Sequence, residues 1–208
     1  MTDAIILAGG SGKRLGLDVP KALIDLNGEK LIDKQIQDLQ DFGIENIVIA
    51  EGYKAKEIQD YLGEKYESIF HSAEQEPLGT AGALNLAKKY ISDDFIALNV
   101  DDLTEIDYFD FMKNGPDTIA ITQMKSPYGI VHTRFGHVKR FEEKPILKNI
   151  WVSCGIYYLS KNIKLPEKGS LEKDVFPFMK LNSYKYIGSW HTFNTQKDIE
   201  EYIEELKE

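Results

Sequence analysis

The sequence predicts an α/β fold in which a mostly parallel sheet is flanked by helices. Through residue 102, short apolar runs typical of buried strands alternate with segments of helical periodicity. This order is typical of parallel strands connected by helices that cover the sheet. The second half of the chain is richer in strand patterns. We therefore expect one α/β unit with a strand-rich portion added to it.

Each predicted element rests on a local pattern. Strands are predicted at 4–8, 47–50, 68–71, 95–100, 118–124, 129–133, 137–141 and 151–159, and helices at 31–42, 54–62, from 78 towards 90, and at 196–207. The helix at 31–42 repeats apolar residues at helical spacing and is followed by Gly43, a residue suited to end it. Gly136 fits a hairpin turn between two of the later strands.

Composition restricts the kinds of partner. The 208 residues include 25 Lys and Arg against 34 Asp and Glu, which gives a net charge of −9. Such a surface argues against binding to nucleic acid or to anionic membranes, so any phosphate binding must come from a few local positive groups. The lone Cys154 excludes an internal disulfide, and no apolar run approaches the roughly 18–20 residues of a bilayer span. We expect a soluble, cytoplasmic protein.

A glycine-rich loop follows the first predicted strand. Residues 9–16 read GGSGKRLG, and Pro20 and Lys21 come shortly after them. The dinucleotide fingerprint fails because Leu15 stands where its last glycine should be, and the Walker loop fails at Leu7 and Arg14. The glycines still allow the backbone to approach a ligand, beside positive charge at the end of a strand.

Read together, the motifs resemble the sugar-1-phosphate nucleotidyltransferases. The sequence reads LAGGSGKRL at 7–15, PKAL at 20–23, EPLGTAGAL at 76–84, LNVD at 98–101, YG at 128–129, FEEKP at 141–145, GIY at 155–157 and SLEKDVFP at 170–177. The resemblance is strongest to short guanylyltransferases that act on mannose or heptose 1-phosphate. It implies a Rossmann-like sheet with a strand-rich sugar-binding portion in the second half. We expect one catalytic domain over residues 1–208, without a C-terminal β-helix.

The resemblance implies a reaction of an NTP with a sugar 1-phosphate that yields an NDP-sugar and pyrophosphate, with Mg²⁺ as cofactor. Arg14, Lys21 and Asp101 occupy the family's catalytic positions. Asp101 matches the metal-binding aspartate and is followed by Asp102. Because successive side chains of a strand point to opposite faces, we expect only Asp101 to reach the metal. The resemblance leaves the oligomeric state open, with a homodimer as one option.

The resemblance also implies the binding residues. Nucleotide binding falls to Leu7, Ala8, Gly9, Gly10, Gly12, Lys13, Glu74, Pro77, Gly79 and Thr80, and sugar-phosphate binding to Gly129, Glu143, Lys144, Ser153 and Glu172. Glu74 falls where the family reads the base. A carboxylate only accepts hydrogen bonds, and guanine offers two N–H donors on one edge, so Glu74 favours GTP. Uracil also offers an N–H donor, so a member that uses UTP, dTTP or CTP with a different acceptor remains an alternative.

One motif departs from the family. The usual W-x-D-x-G-T, whose aspartate is the second metal ligand, reads WHTFNT at 190–195. Thr192 takes the place of the aspartate, and a neutral side chain is a poorer magnesium ligand. Asn194 is the second metal-ligand candidate, through its amide oxygen. The alternative is a weakly active or regulatory relative that binds nucleotide sugars.

Overall fold

The computed structural model describes residues 2–12, 15, 16 and 18–207. The strands are β1 Asp3–Ala8, β2 Ile47–Glu51, β3 Ile69–Ala73, β4 Phe95–Asn99, β5 Asp102–Thr104, β6 Thr118–Lys125, β7 Ile130–Arg134, β8 His137–Glu142, β9 Ile146–Leu159, β10 Asn182–Lys185 and β11 Trp190–Thr192. The α-helices are α1 Leu31–Asp41, α2 Ala55–Gly63, α3 Gly79–Ala87, α4 Tyr108–Met112 and α5 Gln196–Glu205.

Seven of the strands form one central sheet with the order β10-β6-β9-β4-β1-β2-β3. The four strands from the first half are parallel to one another, β9 runs antiparallel to both β4 and β6, and β10 is parallel to β6. Two further antiparallel ladders pair β5 with β11 and β7 with β8. The predicted α/β class and the strand-rich second half are therefore confirmed.

The sheet is buried on both faces, as parallel sheets require. Ala4, Ile6 and Ala8 of β1 pack into one core cluster, together with the apolar faces of α1 and α2. Ile5 and Leu7 point to the other side, where they join α3 and the segment around Leu171. This two-sided burial explains why the strands of the first half read as continuous apolar runs.

The ends of the elements differ from the predictions in a few places. The strand predicted at 151–159 begins at Ile146, and the last helix ends at Glu205. The segment β5, the strands β10 and β11, the helix α4 and a single π-helical turn, Leu171–Val175, were not predicted. They have three to five residues each, too few for a hydrophobic period to be recognised.

The hairpin between β7 and β8 turns at Phe135 and Gly136, which both have positive φ values, 52° and 77°. Such backbone angles are typical of the tight turns that match the twist of paired strands, so the predicted turn at Gly136 is confirmed. In the described part of the chain, no helix has both the length and the apolar character that crossing a bilayer requires.

We predict that Gly155→Ala destabilises the protein. Gly155 lies within β9 at a φ of 72°, and a Cβ there would overlap the Asp102 carboxylate and lie 2.7 Å from Asn99 Nδ2. The left-handed backbone and the overpacking together should cost about 2–4 kcal/mol of unfolding free energy in urea titrations. Gly63→Ala is the control, because Gly63 ends α2 with no atom within 4 Å of the added methyl group. An equal loss in both variants would contradict this account.

Candidate active site

A cavity of about 360 Å³ opens at the carboxyl ends of β1 and β4, beside the start of α3. This edge of a parallel sheet is where ligands usually bind. Ten residues singled out from the sequence line it: Leu7, Gly9, Gly10, Lys21, Glu74, Pro77, Gly79, Thr80, Asp101 and Glu172. Three more lining residues were not singled out, although Ala83 belongs to the EPLGTAGAL motif and Asn99 and Val100 belong to the LNVD motif.

Lys21 and Asp101 form an ion pair in the wall of this cavity. Lys21 begins a short 3-10 turn after Pro20, and its side chain is only 10% exposed, against 23% for Asp101. The Lys21 ammonium also donates to the amide oxygen Oδ1 of Asn194, at 3.3 Å. Two oxygen atoms from distant parts of the chain therefore converge on one positive charge.

The donors beside Lys21 suit a hard divalent cation. A carboxylate and an amide oxygen are the ligand types that Mg²⁺ accepts, and Mg²⁺ commonly takes only one or two protein ligands, with phosphates and water completing its shell. Among the described residues, no group of three or more His, Cys, Asp or Glu side chains is arranged to hold a metal. Asp101 and Asn194 thus fit a metal that a bound triphosphate helps to coordinate.

Asp102 points away from the cavity and is 8% exposed. Its carboxylate accepts hydrogen bonds from Asn99 Nδ2 and from Trp190 Nε1, both at 3.1 Å. Burial, and then the neighbouring charge of Asp101, raise the pKa of Asp102 to about 6, and these hydrogen bonds oppose that rise. The two adjacent carboxylates therefore differ, with Asp101 facing the cavity and Asp102 buried behind it.

Glu74 lies across the cavity, at the loop that follows β3. Its Oε2 accepts a hydrogen bond from the backbone N–H of Leu78 at 3.0 Å. Its Oε1 lies near two glycines. The distance from Oε1 to an added Cβ would be 2.5 Å at Gly52 and 3.5 Å at Gly9. A side chain at residue 52 would crowd the carboxylate, whereas one at residue 9 would meet it at ordinary van der Waals distance, so Gly52 keeps room for Glu74.

The start of α3 is fixed against the segment near Gly169. The backbone N–H of Ala81 donates to the Gly169 carbonyl at 3.0 Å, and a Cβ on Gly79, whose φ is 75°, would overlap that carbonyl. Thr80 Oγ1 donates to Glu172 Oε2 at 3.2 Å and accepts from the backbone N–H of Leu171 at 2.8 Å. These contacts bring Glu172 into the same cavity as the residues assigned to the nucleotide.

Of the remaining residues singled out from the sequence, not all belong to the described part of the chain. Lys13 and Arg14 lie outside the described residues. Ala8 is buried at the end of β1, and a Cβ on Gly12, whose φ is 59°, would be 3.4 Å from the side chain of Lys21.

Four of the residues assigned to the sugar phosphate do not line the cavity: Gly129, Glu143, Lys144 and Ser153. A Cβ on Gly129 would lie 3.1 Å from Glu143 Oε2, so these two positions are neighbours beside the β7–β8 hairpin. Lys144 has a positive φ of 44°. Ser153 Oγ accepts from the backbone N–H of Gly155 at 3.0 Å, within β9.

The model of the nucleotidyl transferase family matches residues 3–174. The chain belongs to this family. The resemblance drawn from the sequence motifs is therefore confirmed.

Relatives of this nucleotidyl transferase include the mannose-1-phosphate guanylyltransferase catalytic subunit beta of Dictyostelium discoideum, 32% identical over 94% of the chain, and the mannose-1-phosphate guanyltransferase of Schizosaccharomyces pombe, 34% identical over 94%. The chain spans 62% and 61% of the length of these two proteins.

Solved structures share the fold of this chain. HddC from Yersinia pseudotuberculosis, in a crystal structure complexed with GMP-PN, is 29% identical with a TM-score of 0.82, and the match covers 99% of this chain and 100% of that chain. A putative glucose-1-phosphate thymidylyltransferase from Bacillus anthracis is 19% identical with a TM-score of 0.77, and it covers 100% of this chain and 96% of its own. The second likeness concerns the fold alone.

A larger cavity, of about 520 Å³, lies between α1, β5, β11 and α5 in this nucleotidyl transferase. Among the residues that the structure describes, none singled out for substrate or metal lines it, so its size does not make it the active site. Asp38 lies in its wall, where burial and then the charges of Asp41, Glu29 and Glu105 raise the pKa of its carboxyl group to about 6, against the attraction of Lys34.

We predict that Asp38→Asn stabilises the protein at pH 7.5. In the unfolded chain, the Asp38 carboxyl group has its ordinary pKa of 3.8. Between pH 4 and 6, the native state therefore binds more protons than the unfolded state, and the free energy of unfolding falls as the pH rises through that window. The substitution should remove a cost of about 1–3 kcal/mol at pH 7.5 and give little gain at pH 4. Urea titrations at both pH values measure this. The control Glu45→Gln, which removes an exposed charge, should change stability little at either pH.

Proposed function

We propose that this chain transfers a nucleotidyl group from an NTP, with GTP favoured, to a sugar 1-phosphate and releases pyrophosphate. The observation that carries the proposal is the Lys21–Asp101 ion pair in the wall of the cavity at the carboxyl edge of the sheet. The names of the related enzymes support a sugar 1-phosphate and a guanylyl group. The structure of HddC with GMP-PN, a match over nearly the whole chain, supports the same nucleotide class.

The chemistry is an in-line attack of a sugar-phosphate oxygen on the α-phosphorus, with pyrophosphate leaving. Two anions must approach each other, so positioning and charge neutralisation dominate. We assign Lys21 to the α-phosphate, where its ammonium offsets the charge that develops. The backbone N–H groups of the loop at Gly9 and Gly10 are suited to the other phosphates, and Arg14, from the motif, to the leaving pyrophosphate.

The proposed cofactor is Mg²⁺, held by the Asp101 carboxylate and the Asn194 amide oxygen. When bound, it would supply Lewis-acid neutralisation of phosphate oxygens. The support is the chemistry of the two donors and their convergence on the ammonium of Lys21. Asp102 does not belong to this set, because its oxygens are engaged by donors behind the cavity.

We propose that Glu74 recognises the nucleotide base and that Glu172 contacts the sugar phosphate. Glu74 has one oxygen committed to the Leu78 N–H, and the other lies toward Gly9 and Gly52. Glu143 and Lys144, beside Gly129, remain proposed contacts of the sugar phosphate, and Ser153 is kept with them on the motif alone. We also propose one catalytic unit in the cytoplasm, and the lone, buried Cys154 is compatible with a reducing compartment.

A second candidate function is a regulatory relative that binds a nucleotide sugar without making one. Thr192 in place of the second aspartate favours it. A matrix of common NTPs against sugar 1-phosphates with Mg²⁺ distinguishes the two functions. Pyrophosphate release with one pair supports the enzyme, and calorimetric binding without release for every pair supports the regulatory protein.

We predict that Asp101→Asn lowers kcat by at least about 100-fold, because it removes the charged oxygen donor beside the phosphates. Pyrophosphate release at saturating Mg²⁺ measures the loss. The matched control is Asp93→Asn, an exposed carboxylate whose Oδ1 accepts only from the neighbouring backbone N–H of Asp94 in the described hydrogen bonds. Turnover equal to that of the wild type in Asp101→Asn would remove Asp101 from the proposed site.

We predict that Glu74→Gln lowers kcat/KM for GTP about 10–100-fold relative to UTP. The amide keeps one acceptor for the Leu78 N–H, but it presents an amino group or a neutral oxygen where guanine needs a charged acceptor. Competition between the two nucleotides in one reaction measures the ratio. The control Glu76→Gln, in the same loop and ion-paired with Lys168 at 3.1 Å, should leave the ratio unchanged. An unchanged ratio in Glu74→Gln would move base reading to another residue.

A further inference from the structure

We infer that Thr192 is a positioning residue that orients the side-chain amide of Asn194, so that its carbonyl oxygen, and not its NH₂ group, faces the cation position beside Asp101. The inference rests on the proposed function for the identity of the cation, a divalent metal. Compared with the family motif alone, Thr192 is only the loss of a metal-binding aspartate.

The first step is the contact between Asn194 and the Lys21 ammonium. An ammonium group has only N–H donors, so the atom that faces it must be an acceptor. Asn194 Oδ1 lies 3.3 Å from Lys21 Nζ, so the amide oxygen faces the same positive charge as the Asp101 carboxylate.

The second step is the contact on the other side of the amide. With its oxygen toward Lys21, the Asn194 side chain turns its NH₂ group the other way, where Nδ2 donates to Thr192 Oγ1 at 2.9 Å. Thr192 is held in the β5–β11 ladder, opposite Asp102. Its hydroxyl oxygen is therefore the acceptor that keeps the amide in this orientation.

The third step is that only one orientation of this amide suits a cation. Turned by half a rotation, Asn194 would present two N–H donors to the Lys21 ammonium and to any metal, which need acceptors. A carboxylate at that position would work in either orientation. A neutral ligand therefore needs a partner that fixes its direction, and the fixed acceptor at Thr192 is that partner.

The backbone of Asn194 is held separately. Its N–H donates to Asp198 Oδ2 at 2.9 Å, and Thr195 and Asp198 form the capping box at the start of α5. A change at Thr192 that removes only the hydroxyl thus leaves the backbone of residue 194 in place. This separates an effect on the orientation of the amide from an effect on the fold.

The test compares Thr192→Val with Thr192→Ser. Valine keeps the shape of threonine and removes the hydroxyl, so Mn²⁺ affinity, measured by electron paramagnetic resonance with and without GTP, should fall about 10-fold. Serine should restore it. The apparent KM for Mg²⁺ in pyrophosphate release should rise by a similar factor in Thr192→Val, with a smaller change in kcat.

Two controls make the test specific. Thr104→Val lies in the same ladder, and its buried hydroxyl has no hydrogen-bond partner among the described residues, so Mn²⁺ affinity should not change. The second control is an Asn194→Asp background, in which the carboxylate has two equivalent oxygens and needs no partner to orient it. Adding Thr192→Val to this background should change Mn²⁺ affinity by less than about 2-fold, whereas a loss of roughly 10-fold is expected when Asn194 is present.

Equal Mn²⁺ affinity in the wild type and in Thr192→Val would overturn the inference. Absence of Mn²⁺ binding to the wild type would do so too, as would an equal loss of affinity on adding Thr192→Val to the wild type and to Asn194→Asp. The proposed function has its own readout. If no nucleotide and sugar 1-phosphate pair releases pyrophosphate but Mn²⁺ binding depends on Thr192, the reaction is wrong and the inference stands. If pyrophosphate is released but Mn²⁺ binding is indifferent to Thr192, only the inference fails.

Discussion

The architecture around the active site depends on one buried carboxylate, that of Asp102. An ionised group removed from water must be surrounded by donors, or its burial costs several kcal/mol. The donors come from Asn99 at the end of β4 and from Trp190 on β11. Gly155 of β9 leaves the space that the carboxylate occupies. One side chain therefore determines how three strands meet at the edge of the sheet.

The same arrangement fixes the backbone that carries Asp101. Gln35, on α1, donates through Nε2 to the carbonyl of Asn99 at 2.8 Å and to that of Asp102 at 2.9 Å. The segment from Asn99 to Asp102 is thus held by α1 on one side and by β11 on the other. Asp101 lies between Asn99 and Asp102, which are both fixed, and its carboxylate faces the cavity. A site that needs fixed charges is built on such rigid supports.

The sequence predicted those parts of the site that lie within single motifs. The loop after β1 and Asp101 follow strand ends, which local patterns reveal, and Lys21 belongs to the PKAL motif shortly after that loop. The contacts of Asp102 with Trp190 and Thr192 join positions about 90 residues apart through a three-residue ladder, which no periodicity reveals. For the same reason, the motifs could not indicate that Glu172 lies beside Thr80.

The departure from the family motif at Thr192 also has a physical reason within this chain. A carboxylate at 192 would oppose Asp102 in the β5–β11 ladder, acceptor against acceptor, with Asp101 adding a third negative charge nearby. Threonine instead places a neutral side chain opposite Asp102 and supplies an acceptor to Asn194. The oxygen donor toward the cation position then comes from residue 194, two positions further along the chain, with no added charge. The lost aspartate and the new asparagine are therefore two parts of one rearrangement, which a position-by-position comparison with the motif would count as two separate defects.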